Sequence, residues 1–165
     1  MRYKLIGIIL IILFSFAALP AAHAQKVVYL IRHAEQVLDV EDPPLTVAGH
    51  QRAKAWAAIL RDANIEVIYT SKKQRTKQTG EPIAQALNIP LETMPRRDVA
   101  GLVDRLRTRH ADDAILIVSH SRTIPKLLGE LGHWEDVTIE RDDYDNLFIV
   151  APQSESDPLV LHLRY

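Results

Sequence analysis

The fold is decided by the stretch VVYLIRHAE, which runs from Val27 to Glu35. Five apolar residues follow one another without interruption, and an arginine and a histidine come directly after them. Such a run predicts a strand that is buried on both faces, as the strands of parallel sheets are. Open α/β sheets bind ligands at the carboxyl ends of their strands, so Arg32 and His33 are expected at a binding edge.

The rest of the chain alternates between helical and strand patterns. Helices are predicted over 47–60, 72–87, 98–110 and 123–131, and strands over 65–69, 91–94, 114–118, 146–150 and 159–163. The alternation of strand and helix is typical of parallel βαβ units. We therefore expect a single-domain, three-layer α/β/α sandwich with a mostly parallel sheet and an antiparallel edge strand.

The first residues have the pattern of an export signal. A basic start with Arg2 and Lys4 leads into an apolar run from Leu5 to Leu19, and Ala22-His23-Ala24 resembles a cleavage site. The run is shorter than the roughly 20 residues of a membrane span. We predict cleavage after Ala24, a domain over 25–165, no stable membrane insertion afterwards, and export to the periplasm. The alternative is an uncleaved anchoring helix.

The composition limits what the protein can bind. The chain has 20 Lys and Arg against 21 Asp and Glu, and it has no cysteine. This balance is not that of a nucleic-acid-binding protein, so a site for an anion requires a local concentration of positive charge. Without cysteine there is no thiolate nucleophile or thiolate metal site. No histidine pair has the spacing of a metal motif, so neither a metal nor a cofactor is implied.

Three predicted strands end in residues that suit an anionic ligand. In a parallel sheet these ends share one edge, so they are expected to meet. The residues are Arg32 and His33 after the first strand, Arg75 one helical turn beyond Thr70-Ser71, and Ser119-His120-Ser121 after the fourth strand. Two imidazoles and two guanidiniums at one crevice favour a small phosphorylated substrate.

These residue types suggest roles in phosphoryl transfer. A neutral His33 could attack phosphorus and form a phosphohistidine. Arg32 and Arg75 could bind the equatorial oxygens, and His120, if protonated, would add a donor. Arg75 lies among several basic residues over 72–77, and charge alone does not single it out.

The same residues resemble motifs of the histidine phosphatase superfamily, also called the phosphoglycerate-mutase-like family. Arg32-His33-Ala34-Glu35 is similar to its Arg-His-Gly signature, with alanine in the usual glycine position. The segments over 42–49, 69–79 and 118–121 resemble three further motifs in the family's order. The resemblance implies the fold, His33 as nucleophile, and a substrate pocket of Arg32, Arg75, His120 and Ser121. It is this resemblance that singles out Arg75.

The sequence departs from many family members in one respect. Their general acid lies in an insertion after the middle strand, whereas the region over 92–104 is short here, as in the compact phosphohistidine phosphatases. Asp98 and Glu35 are the candidate acids, and each also fits a surface charge. We expect an exported phosphatase that acts on phosphomonoesters or phosphoramidates. The alternatives are a catalytically weak phosphate- or phosphosugar-binding envelope protein and a phosphoglycerate mutase. The oligomeric state is not predicted.

Overall fold

The computed structural model describes residues 27–153 and 156–165. Within these residues the strands are β1 (Val27–Arg32), β2 (Ile65–Ser71), β3 (Leu91–Met94), β4 (Ala114–Ser119), β5 (Asn146–Ala151) and β6 (Leu159–Arg164). The helices are α1 (Val47–Ile59), α2 (Gln74–Leu87), α3 (Val99–Arg109) and α4 (Ile124–Glu130). None of these helices is long and apolar enough to cross a membrane. The predicted signal segment and its cleavage site lie outside the described residues.

The six strands form one mixed sheet in the order β3-β2-β4-β1-β5-β6. The four strands β3, β2, β4 and β1 pair in parallel, while β5 runs antiparallel to β1 and forms a hairpin-like pair with β6. The predicted fold class is therefore confirmed. Because β1 lies beside β4, and β4 beside β2, the carboxyl ends of these three strands are neighbours.

A hydrophobic core fills each face of the sheet. On one face, α3 and α4 pack against alternate sheet residues, with Leu106 and Leu128 fully buried. On the other face, α1 and α2 pack through Trp56 and Ile83. Consecutive residues of β4 point alternately into the two cores, which explains why its sequence is an unbroken apolar run.

Strand β2 is longer than predicted, and this changes the start of α2. The sequence predicts a strand over 65–69 and a helix from residue 72, whereas β2 continues through Ser71 and α2 begins at Gln74. Asp42, from the loop after β1, instead accepts a hydrogen bond from the backbone N–H of Gln74 at 3.3 Å. The Ser71 hydroxyl does not cap α2, and it contacts His120 in the candidate site instead.

The loop after β1 is anchored at its other end by the start of α1. Thr46 caps the helix by accepting from the backbone N–H of Gly49 at 3.1 Å, as threonine often does at this position. The Thr46 backbone N–H donates to the carbonyl oxygen of Glu35 at 2.9 Å. A Cβ on Gly49 would lie 2.2 Å from that oxygen, so only glycine permits this close approach. The segment that follows His33 is therefore held firmly.

Candidate active site

The two predicted histidines lie side by side at the carboxyl edge of the sheet. Arg32 pairs with Ser119 at the last position of the β1–β4 ladder, and the backbone N–H of His33 donates to the Ser119 carbonyl oxygen at 2.9 Å. This register places His33 beside His120, with their ring centroids 5.3 Å apart. Both residues are buried, with exposed fractions of 4% and 6%.

The tautomer of His33 is fixed by its own chain. Its Nδ1 lies 2.8 Å from the carbonyl oxygen of Ala34. Since a carbonyl oxygen can only accept, Nδ1 carries the hydrogen and Nε2 carries the lone pair in the neutral ring. The Ala34 backbone N–H in turn donates to the Thr79 hydroxyl at 3.0 Å. The Nε2 atom of His33 is therefore a preorganised nucleophile.

The tautomer of His120 follows from a chain of hydroxyl groups. Thr76 Oγ1 lies 3.0 Å from the carbonyl oxygen of Ser71 and 2.9 Å from that of Lys73, so its only hydrogen goes to a carbonyl. It must then accept from Ser71 Oγ at 2.9 Å. Ser71 Oγ consequently accepts from Nε2–H of His120 at 3.0 Å. This leaves Nδ1 of His120 to accept from Arg75 Nη2 at 3.4 Å.

The guanidinium of Arg32 is held by backbone carbonyls and an aromatic ring. Its Nη1 lies 2.8 Å from the carbonyl oxygens of Glu140 and Arg141 and 3.1 Å from that of Asp143. The guanidinium carbon also lies 4.1 Å from the ring centroid of Tyr144. These contacts fix a cation beside His33 without neutralising it, apart from the weak attraction of the ring.

Arg75 brings a second cation to the same place. It is only 9% exposed, and its Nη1 lies 3.9 Å from a carboxylate oxygen of Asp42. The Nε atoms of Arg32 and Arg75 are both buried without a hydrogen-bond partner among the described residues. A buried donor without a partner costs about 1–3 kcal/mol, and an anion with several acceptor oxygens would satisfy it. The two arginines therefore fit a bound phosphoryl group.

Both histidines are neutral in the folded protein. Burial is the largest cause that lowers the pKa of His33 to about 3, and the charges of Arg32 and Arg75 act in the same direction, whereas the hydrogen bond to Ala34 opposes them. Burial likewise lowers the pKa of His120 to about 2, together with its cationic neighbours. In the free protein His120 therefore positions Arg75 as an acceptor and is not itself a cation.

These pKa values predict that the protein loses stability in mild acid. The unfolded chain takes up protons at these histidines near pH 6.5, whereas the folded chain does so only near pH 3 and 2, so the unfolded state binds more protons in between. Stability from these groups is complete above pH 6.5 and falls as the pH decreases. Between pH 7.5 and pH 5.5, each histidine should lower the free energy of unfolding by on the order of 1 kcal/mol.

Urea unfolding at pH 7.5 and 5.5 checks this, in buffers free of phosphate. The His33→Gln variant should lose less stability on acidification than the wild-type protein. An equal loss in both proteins would contradict the low pKa of His33.

The two candidate acids are engaged elsewhere. Arg52 donates to both carboxylate oxygens of Glu35, from Nε at 2.8 and 3.0 Å. Burial would raise the pKa of Glu35, but the hydrogen bonds from Arg52 outweigh it and the pKa is lowered. Asp98 is exposed and caps α3 by accepting from the backbone N–H of Gly101 at 3.0 Å. The structure thus gives both carboxylates a structural role, and a role as general acid stays a prediction.

The structure brings together four of the predicted residues, namely Arg32, His33, Arg75 and His120. Ser121 lies half-buried in the turn after His120, and its role in substrate binding stays a prediction. Sequence analysis named Ser71 only as the end of a strand and gave it no role, and it missed Tyr144. Ser71 ends a buried strand, which is the signal that identified Arg32 and Ser119. Tyr144 carries no such signal, because it lies in an irregular loop.

A parallel sheet with a buried histidine pair and two arginines at its edge defines an α/β protein whose candidate site suits a phosphoryl group. A family model described as histidine phosphatase superfamily (branch 1) matches residues 28–98, which include β1, β2 and α2. These observations support the resemblance to the histidine phosphatase superfamily.

Individual relatives match parts of the chain. A probable phosphatase of Schizosaccharomyces pombe is 37% identical over 70 residues, which cover 38% of this chain and 25% of that protein. The probable phosphoglycerate mutase GpmB of Yersinia enterocolitica is 37% identical over 76 residues, covering 42% of this chain and 35% of that one. The matches thus span about a quarter to a third of the length of these two relatives.

Solved structures share the fold over nearly their whole length. The protein histidine phosphatase SixA, solved with tungstate, has a TM-score of 0.70 at 23% identity, covering 84% of this chain and 96% of that one. A SixA homologue from Nakamurella, described as a phosphohistidine phosphatase, has a TM-score of 0.64 at 20% identity, covering 86% and 96%. At this level of identity the likeness shows the fold alone, and it agrees with the compact form predicted from the short region after β3.

Proposed function

We propose that this protein is an exported phosphatase that hydrolyses phosphomonoesters or phosphoramidates through a phosphohistidine intermediate on His33. One observation carries the proposal: the Nδ1–H of His33 is bound to the Ala34 carbonyl, so the lone pair of Nε2 lies on a neutral, buried ring whose pKa is lowered by burial and by the charges of Arg32 and Arg75. Export is proposed from residues 1–24 of the sequence alone.

The proposed reaction has two steps. In the first, Nε2 of His33 attacks phosphorus, an N–P bond forms, and the bond from phosphorus to the leaving oxygen or nitrogen breaks. In the second, water attacks the phosphohistidine, inorganic phosphate is released, and the neutral imidazole is restored. Since phosphoryl transfer depends on positioning and on charge stabilisation, Arg32 and Arg75 supply the main contribution by binding the equatorial oxygens.

His120 changes its part when the substrate is bound. In the free protein it is neutral, and both ring nitrogens are occupied by Ser71 and Arg75. A phosphoryl dianion beside the ring raises the pKa of His120 and attracts Arg75 away from its Nδ1. A proton taken up at Nδ1 would then make His120 a donor to the bound phosphoryl group.

The arrangement favours particular leaving groups. Glu35 is held by Arg52 and Asp98 caps α3, so neither carboxylate is free to protonate a departing alkoxide. Aryl phosphates and phosphoramidates need less help in leaving than alkyl phosphates do. We therefore propose that they are the better substrates, which also fits the structural likeness to phosphohistidine phosphatases.

A trapped intermediate tests the proposal. The protein is mixed with p-nitrophenyl phosphate, quenched, and examined by mass spectrometry and ³¹P NMR. We expect a phosphoprotein that is labile in acid, stable in alkali, and phosphorylated at Nε2 of His33. A parallel panel of phosphohistidine, phosphorylated sugars and 3-phosphoglycerate ranks the leaving groups.

Two outcomes would favour other functions. Tight binding of phosphate with no phosphoprotein and no turnover would indicate the phosphate- or phosphosugar-binding protein. Isomerisation of 3-phosphoglycerate faster than its hydrolysis would indicate a mutase. A phosphoprotein modified anywhere other than His33 would reject the proposed nucleophile.

A further inference from the structure

A second pair of arginines lies at the same edge of the sheet, beyond β3. The backbone N–H of Asp98 donates to the carbonyl oxygen of Pro95 at 3.1 Å, which closes a turn with Arg96 and Arg97 at its two central positions. This turn follows Met94, which pairs with Ser71 at the last position of the β2–β3 ladder. Ser71 bonds His120, so the turn adjoins the candidate active site.

The two arginines of the turn face different surroundings. Arg96 lines a small pocket whose other walls include Ser71 and Ser119, at the ends of β2 and β4. Arg97 lines a separate open groove between α3 and α4, together with Lys126 and Trp134. Of the two arginines, only Arg96 therefore shares a pocket with Ser71, the residue that bonds His120.

The charge of Arg96 acts on the site residues. Burial is the largest cause that lowers the pKa of Arg75, and the positive charge of Arg96 is the next. Arg96 is also among the charges that lower the pKa of His120. Arg97 is not among the main causes of the lowered pKa of either group. The repulsion shows that Arg96 adds to the positive field of the pocket and does not belong to a separate surface.

No carboxylate among the described residues forms an ion pair with Arg96. Of the acidic residues nearest in sequence, Glu92 lies 3.8 Å from Arg105, and Asp98 caps α3. Arg96 is exposed, so its guanidinium is accessible to a ligand. An exposed cation without a partner, beside two other arginines, would be stabilised by an additional negative charge.

The position of Arg96 separates it from the nucleophile. His33 follows β1, whereas Arg96 follows β3, and the strands β4 and β2 lie between them. At about 4.8 Å per strand, β1 and β3 are roughly 14 Å apart. Arg32, Arg75 and His120 surround the nearer end of this span. When a phosphoryl group is bound there, Arg96 is placed to contact a more distant part of the same substrate.

We propose that Arg96 is a selectivity residue that binds a second anionic group of the substrate, so that the preferred substrates are phosphorylated compounds whose leaving group carries a carboxylate or a further phosphate. This inference rests on the proposed phosphatase function for the position of the phosphoryl group. It adds the chemical class of the leaving group, which the phosphoryl pocket alone does not define.

Matched aryl phosphates test the inference. The probes are 3- and 4-carboxyphenyl phosphate, each compared with the uncharged carbamoyl compound of the same shape. The measured quantity is the ratio of kcat/KM for carboxy over carbamoyl. An exposed ion pair contributes up to about 1 kcal/mol, so we expect Arg96→Ala to lower this ratio about two- to fivefold for at least one of the two positions. Arg96→Lys should retain part of the preference.

Arg97→Ala is the matched control, because it removes the neighbouring charge of the same turn. It should leave both kcat/KM values unchanged. The inference is overturned if Arg96→Ala lowers the carboxy and carbamoyl rates equally, if it changes neither, or if Arg97→Ala has the same effect.

A binding measurement separates this inference from the proposed function. The corresponding carboxyphenyl and carbamoylphenyl phosphonates cannot be hydrolysed, and their dissociation constants are measured by calorimetry in the wild-type and Arg96→Ala proteins. A carboxylate preference that depends on Arg96, without any turnover of the phosphates, would reject the phosphatase function and retain the second anion site. Turnover that depends on His33 but not on Arg96 would support the phosphatase function and reject the second anion site.

Discussion

His33→Ala should lower kcat for p-nitrophenyl phosphate by at least about a thousandfold. Removal of a covalent nucleophile eliminates the two-step route, and only slow attack by water on a substrate bound by the arginines remains. The loss should appear in kcat, because the guanidiniums of Arg32 and Arg75, which we propose bind the phosphoryl group, are unchanged. KM should therefore change much less than kcat.

The fold should tolerate this substitution at neutral pH. His33 is neutral there, and its side chain makes one hydrogen bond, to the carbonyl oxygen of its neighbour Ala34. His33→Gln fills more of the space and serves as a second variant if the alanine protein is unstable. Circular dichroism and urea unfolding at pH 7.5 establish that both variants are folded before their rates are compared.

His50→Ala is the matched control for His33. His50 is an exposed histidine at the start of α1, so its removal should leave kcat and KM unchanged. Equal turnover by the wild-type and His33→Ala proteins would eliminate the proposed nucleophile. A large loss in His50→Ala would show that the site has been placed incorrectly.

The strand ends could be predicted from the sequence because their signals are local. The strands Val27–Arg32 and Ala114–Ser119 each have five apolar residues and one polar residue, and a histidine follows each directly. Parallel pairing of the two strands is sufficient to bring those histidines together. The expectation that Arg32, His33, Arg75 and His120 would meet needed no knowledge of side-chain packing. Their catalytic roles are a separate question, and they stay predictions.

The hydrogen bonds that hold these side chains in place could not be predicted in the same way. Arg32 is held by carbonyl oxygens of residues that follow it by more than one hundred positions, and every residue type provides such an oxygen. The tautomer of His120 depends on how Ser71 and Thr76 share their hydrogens, which only their relative positions determine. Arg96 could have been found, since it follows a strand at the same sheet edge, but β3 is short and only partly buried.

Arg75→Ala should lower kcat/KM for aryl phosphates by about a hundredfold or more. A preorganised cationic group that stabilises the charge of the transition state typically contributes on the order of 3 kcal/mol. Arg75 fits this description, because it is almost fully buried and its Nε has no hydrogen-bond partner among the described residues. The substitution also removes the donor to His120 Nδ1, so that this ring is free to turn or to take up a proton.

Lys73→Ala is the control that separates position from charge. Lys73 lies in the same basic segment, and its Nζ is 3.7 Å from the carboxylate of Asp42, which Arg75 also approaches. Its side chain is 44% exposed, however, and among the described residues the side-chain hydrogen bonds of His120 are with Ser71 and Arg75. We expect less than a twofold change in kcat/KM for this variant, although it removes the same charge.

Arg75→Lys distinguishes a general positive charge from the planar, two-pronged contact that a guanidinium makes. Lysine retains the charge but not the paired donors, so we expect it to recover only a small part of the lost activity. Steady-state kinetics with p-nitrophenyl phosphate and competition by inorganic phosphate measure both effects. If Arg75→Ala keeps full activity while Lys73→Ala loses it, the basic segment contributes a different cation, and the motif that singled out Arg75 was aligned incorrectly. If Arg75→Lys is fully active, the buried Nε of Arg75 is not a phosphate ligand, and the site needs only the charge.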